Sequence, residues 1–108
     1  DQIAPVLQVS EIRMIAADEF WMSPSFGRDS VAFHFTWVKD EAAVRPVMAA
    51  VEERLARFEP RPHWGKLFSV DAATVAASYP KLAEFRRLVQ RYDPHGKFRN
   101  PFVDPYLG

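Results

Sequence analysis

A chain of 108 residues and 12.4 kDa, 48% hydrophobic and 14% aromatic, has room for one hydrophobic core and lies far from the composition of disordered segments. Its 14 Lys and Arg balance 14 Asp and Glu, so no net field favours nucleic acid or an anionic membrane. With no Cys there is no disulfide, thiolate nucleophile or zinc-thiolate site, a usage compatible with the cytoplasm.

No apolar run approaches the roughly 18 residues of a membrane span. The opening Asp1-Gln-Ile-Ala-Pro5 has neither an initiator Met nor the basic and apolar regions of a signal peptide, which suggests a fragment or a processed product. A strand is expected over residues 5–16, rich in β-branched and apolar residues and opened by a proline. Alternation puts Ile12 and Met14 on one face and Glu11 with Arg13 on the other. By itself that pattern reads as an exposed ion pair on a solvated sheet face.

Residues 18–30 form a connection marked by Ser-Pro and Gly. Its Phe20, Trp21, Met22 and Phe26 are costly to leave in water, so they are expected to pack on the core or face another domain. The next strand begins at Val31. Val31, Phe33, Phe35 and Trp37 share the face expected to pack, while Ala32, His34, Thr36 and Val38 share the other. His34 and Thr36 then lie roughly 6 to 7 Å apart. If the strands run antiparallel with polar faces coinciding, Glu11, Arg13, His34 and Thr36 make a patch able to bind and deprotonate a hydroxyl.

Asp40 is a candidate N-cap for a helix carrying Val44, Val47, Met48, Val51, Leu55 and Phe58 at helical spacing. Pro46 sits late for a first-turn proline, so this helix either starts nearer Val44 or kinks there. Residues 61–68 hold Arg61, a His63-Trp64 pair, Gly65 and Lys66. The plain reading is a buried Trp64 anchor with Lys66 in solvent. Gly65 either adopts a positive φ or admits a close neighbour. Asp71 caps a short helix over 72–78, and Pro80 opens an amphipathic helix with Leu82, Phe85, Leu88, Val89 and Tyr92. Asp93-Pro-His-Gly96 is a turn with His95 in solvent, and the aromatic tail of 97–107 is expected to wrap over a neighbouring surface. The elements sum to an α+β domain in which helices pack an antiparallel sheet.

Five stretches together carry a family resemblance: Ser10-Glu-Ile-Arg13, Phe20-Trp-Met-Ser-Pro24, Phe33-His-Phe-Thr-Trp37, Arg61-Pro-His-Trp-Gly-Lys66 and Asp93-Pro-His-Gly-Lys-Phe-Arg-Asn100. They resemble the C-terminal part of the alditol oxidases, relatives of the sugar-lactone oxidases in the FAD-dependent vanillyl-alcohol-oxidase-type superfamily. The lactone oxidases typically carry His-Trp-Ala-Lys where this chain has Gly65, which favours the polyol branch. The resemblance implies that residues 1–108 are the C-terminal portion of the substrate (cap) domain. The FAD-binding domain, with the histidine that tethers the flavin in alditol oxidases, then lies upstream.

It also implies that Glu11, Arg13, Thr36 and Lys66 line a substrate pocket beside the flavin and that His34 lies next to the reacting carbinol. His34 is then the base for the hydroxyl proton as hydride passes to flavin N5, with dioxygen reduced to hydrogen peroxide. Arg13 or Lys66 supplies positive charge toward the reduced flavin, and Glu11 and Thr36 bind successive hydroxyls of a polyol. His63 and Asn100 take supporting or structural places. The alternative of another class is a freestanding, non-catalytic α+β module binding a small ligand or partner through its polar sheet face, with Trp21 and the tail aromatics buried in its own assembly. Nucleic-acid binding is disfavoured by the balanced and dispersed charge.

Overall fold

The computed structural model describes residues 2–108, and Asp1 lies outside the described residues. The elements are β1 (Leu7–Ile15), β2 (Ser30–Trp37), α1 (Glu41–Leu55), a 3-10 turn (Ala56–Phe58), α2 (Ala72–Ala77), α3 (Leu82–Tyr92) and α4 (Asp104–Leu107). β1 and β2 pair antiparallel as a two-stranded ribbon, so the chain is α+β with an antiparallel sheet. A bulge between Leu7 and Val9 breaks the register at one end only. From Val9 onward the pairing is regular, with Val9 opposite Thr36, Glu11 opposite His34 and Arg13 opposite Ala32.

The helices do not cover the ribbon as the sequence pattern suggests. On the apolar face Ile12 is 68%, Met14 80%, Val31 48% and Phe33 49% exposed, while Phe35 and Trp37 stack on each other at 5.2 Å and are half-buried. Alternation sets which residues share a face, but what covers that face is decided by distant chain. Here the α2–α4 region builds its core elsewhere, around Val75, Tyr79, Leu82 and Tyr106, with Met22, Trp64 and Phe68 packed against it. The molecule is correspondingly extended: its radius of gyration of 15.5 Å exceeds the roughly 13 Å of a compact domain of this length.

The helix starts follow their caps. Asp40 accepts from Ala43 N–H at 3.1 Å, and Asp71 accepts from Thr74 N–H at 2.9 Å and from its hydroxyl at 2.6 Å. α1 begins at Glu41 and continues through Pro46, so the helix does not wait for Val44. The missing Pro46 donor faces the carbonyl of Ala42, an exposed residue that water can reach. Val44 and Met48 are buried as the stripe requires, but Phe58 is 62% exposed. The chain tightens into the 3-10 turn Ala56–Phe58, whose change of pitch takes the last stripe residue out of phase, and Glu59 ends the turn with a left-handed φ of 51°. α3 begins at Leu82, so Pro80 precedes it and lies outside its first turn. No helix among the described residues is long and apolar enough to cross a membrane.

Local hydrogen bonds fold the tail back along its own chain. Asp93 accepts from the N–H groups of Lys97 and Phe98 at 2.7 and 2.9 Å, Gly96 supplies a φ of 66°, and Asn100 Oδ1 accepts from Phe102 and Val103. These local bonds turn the chain into α4, where Tyr106 is buried and its carbonyl accepts from Arg86 at 2.6 Å. Phe98 remains 77% exposed.

The 18–29 loop is closed by bonds between Asp18 N–H and Ser25 O and between Gly27 N–H and Asp18 O. Arg61 fastens it to the helices. Its guanidinium donates to Pro24 O at 3.2 Å, Phe26 O at 2.9 Å and Ser78 O at 2.8 Å, and lies 5.2 Å above the Tyr79 ring. Trp64 adds a bond from its indole N–H to Met22 O at 2.9 Å and packs 5.1 Å from both Tyr79 and Tyr106. Met22 therefore joins the core, whereas Phe20 at the loop tip is 76% exposed. Burial pushes the Tyr79 hydroxyl up to about 12.

Removing Arg61 strands three carbonyls from a charged donor. Arg61→Met is expected to lower the unfolding free energy by about 3 kcal/mol in chemical denaturation. Arg57→Met, at an exposed cation lying over the Phe58 ring, is expected to stay within about 0.5 kcal/mol of the unchanged chain.

Candidate functional site

Regular pairing from Val9 to Ile15 preserves the period of two, so Glu11 and Arg13 of β1 and His34 and Thr36 of β2 stand on one face of the ribbon. Glu11 and His34 are direct cross-strand partners. The Arg13 guanidinium donates to Glu11 Oε2 at 2.7 Å, and His34 Nδ1 lies 3.4 Å from the same oxygen. Thr36 is exposed two residues along from His34 and opposite Val9. The face is open: the Glu11 and His34 side chains are 44% and 40% exposed.

Hydrogen bonds, joined by the Arg13 charge, set the protonation of the carboxylate. The hydrogen bond with His34, followed by the hydrogen bond and charge of Arg13, holds the Glu11 carboxyl below its ordinary value of 4.5. At neutral pH the face therefore presents an ionised acceptor, a guanidinium and an imidazole within reach of one another. That set can bind a hydroxyl and take its proton.

The remaining sequence-selected residues lie elsewhere. Among the described residues, no hydrogen bond or ion pair joins Lys66, His63 or Asn100 to the Glu11, Arg13 and His34 group. Lys66 is exposed on a turn closed by its own N–H to His63 O at 3.1 Å, and its ammonium forms no ion pair among the described residues. His63 Nδ1 accepts from Gly65 N–H at 3.0 Å. A Cβ at position 65 meets the His63 ring at 3.3 Å, so close approach, not a positive φ, explains that glycine. Trp64 is the anchor and Lys66 the solvent-facing cation, as the plain reading of this stretch has it. Asn100 caps the tail turn, and His95 is exposed. The residue that sequence reading passes over is Arg61, whose partners lie 17 to 37 positions away.

Comparison with known proteins identifies the family. The family model described as D-arabinono-1,4-lactone oxidase matches residues 4–106. The chain is 57% identical over 107 residues to the alditol oxidase of Streptomyces sp. (strain IKD472 / FERM P-14339), covering 99% of this chain and 26% of that protein. It is 34% identical to the L-gulono-1,4-lactone dehydrogenase of Mycobacterium tuberculosis, covering 96% of this chain and 24% of the relative, and 27% identical to the L-gulonolactone oxidase of Mus musculus, covering 87% and 22%. The names of these relatives, oxidases and a dehydrogenase, are those of oxidoreductases. The chain itself belongs to the D-arabinono-1,4-lactone oxidase family. It spans about a quarter of the length of these curated relatives.

The acid–base state of Glu11 is directly testable. Because its folded pKa is lowered, the contribution of this group to stability is fully present above 4.5 and is lost as pH falls through the lower folded value. A carboxyl-carbon NMR titration is expected to give Glu11 a midpoint below 4.5, and His34→Asn is expected to move that midpoint upward.

Proposed function

We propose that residues 1–108 are the C-terminal portion of the substrate-binding (cap) domain of an FAD-dependent oxidase that oxidises the terminal hydroxyl of a polyol. In this reading the FAD-binding domain precedes the chain in the same protein, the other substrate is dioxygen, and the protein works in the cytoplasm. The observation that carries the reading is the convergence of Glu11, Arg13 and His34 on one open ribbon face. Family membership and the likeness to alditol oxidase support the reaction class, and a sugar-1,4-lactone remains the alternative substrate within the same family.

The residues present fit one wall of a flavin site and not a complete cofactor site. No glycine-rich phosphate cradle occurs in the sequence, whereas Arg13 and Lys66 are exposed cations suited to an electron-rich ring edge. FAD, when bound, accepts the hydride and passes electrons to dioxygen, giving hydrogen peroxide.

The work of the chain's own residues is proton handling and orientation. His34 takes the hydroxyl proton on a ring nitrogen as the carbon–hydrogen bond breaks, for which an imidazole is suited near neutral pH. Glu11 accepts a hydrogen bond from one substrate hydroxyl while Thr36 offers its own hydroxyl to the next. Fixing two hydroxyls of a flexible polyol selects the terminal carbon for reaction. Arg13 and Lys66 hold positive charge where negative charge develops, and Arg13 also keeps Glu11 ionised. His63 and Asn100 have structural roles, each shaping its own turn.

With the full chain and xylitol or sorbitol as substrate, His34→Asn is expected to lower kcat by about 100- to 10,000-fold. Oxidation at an unchanged rate refutes the assignment of the base. Residues 1–108 purified alone are expected to be colourless and to form no peroxide, and a yellow, active sample refutes the division into domains.

A further inference from the structure

A carboxylate has only acceptor oxygens. His34 Nδ1 lies against Glu11 Oε2, and that same oxygen receives the Arg13 guanidinium at 2.7 Å. For the Nδ1 contact to be a hydrogen bond, the proton must sit on Nδ1. In the neutral ring the lone pair is then left on Nε2.

We propose that Glu11 is a positioning residue for His34: its Oε2 accepts the Nδ1 proton and holds the imidazole in the tautomer whose free lone pair is on Nε2. This deepens the oxidase reading and rests on it for the identity of the substrate hydroxyl. The order of action is Arg13 to Glu11 to His34. Arg13 holds the carboxylate in place, the carboxylate selects the ring tautomer, and Nε2 receives the hydroxyl proton. The imidazolium formed in that step keeps the Glu11 negative charge beside it, so its positive charge develops next to a fixed anion. The charged groups facing His34 are Glu11 and Arg13, both on β1. The two carboxylate oxygens divide the labour. Oε2 serves the protein, while Oε1 has no hydrogen bond among the described residues and is the atom available to a substrate hydroxyl.

His63 provides an internal reference. Its Nδ1 accepts from Gly65 N–H at 3.0 Å, so its neutral ring must carry the proton on Nε2. Two histidines of one chain are thus assigned opposite tautomers.

The test is a long-range nitrogen–proton NMR spectrum of the 15N-histidine-labelled full chain without substrate, at a pH well above the ordinary imidazole range. His34→Asn and His63→Asn assign the two rings. The expected result is Nδ1–H for His34 and Nε2–H for His63. In Glu11→Leu, His34 is expected to lose the Nδ1–H pattern and revert to Nε2–H while His63 is unchanged, the latter reporting that the fold survives. Nε2–H at His34 in the unaltered chain overturns the proposal without need of any variant, and so does an unchanged His34 pattern in Glu11→Leu. Because no substrate is present, the result is independent of the oxidase reading. An Nδ1–H ring in a protein whose His34→Asn variant still oxidises polyols keeps the positioning and removes the base.

Discussion

Arg61 is the joint on which the arrangement depends. One guanidinium holds carbonyls from the 18–29 loop and from the end of α2, and Trp64 adds a bond to the same loop. Arg28 closes the loop from the other side by donating to Glu59 O at 2.7 Å. Since β1 enters this loop and β2 leaves it, these few donors hold the ribbon in relation to the helices. A planar cation with five N–H groups suits the task, because it reaches divergent carbonyls that a lysine ammonium, a point donor, does not hold in one geometry. The half-buried setting strengthens the bonds by keeping competing water away.

The ribbon shows the opposite regime. An isolated pair of strands is marginal by itself, and here one face is polar and the other apolar and exposed. The polar face has its own internal order, since Glu11, Arg13 and His34 satisfy one another across β1 and β2. On the apolar face Phe35 and Trp37 stack on each other, while Ile12, Met14, Val31 and Phe33 stay exposed. The functional reading therefore rests on the side of the ribbon that is locally complete.

Legibility from sequence followed the range of the interaction involved. Face parity in β1 and β2 was readable because a period of two is a local property, and the bulge falls before Val9, outside the stretch that holds Glu11. The caps Asp40 and Asp71 were readable because each bonds three residues ahead. The exposure of Phe33 and Met14, the docking of Tyr106 and the reach of Arg61 were not, because each is set by residues far along the chain or by their absence nearby. Phe58 failed for a subtler reason. Its spacing fits the α1 stripe, but the change of pitch after Leu55 spoils the phase. Of the site, the Glu11, Arg13, His34 and Thr36 face was visible in the alternation itself. The place of Lys66 in it comes from the family resemblance.

Gly65 links this geometry to the divergence of related enzymes. Its α-carbon hydrogen stands where a methyl group would press on the His63 imidazole at 3.3 Å, and the family resemblance implies an alanine at this place in the lactone oxidases. Glycine and alanine codons differ by one nucleotide. A single point mutation that adds this methyl group thus requires the His63 imidazole, which accepts from Gly65 N–H, to give way by a few tenths of an ångström.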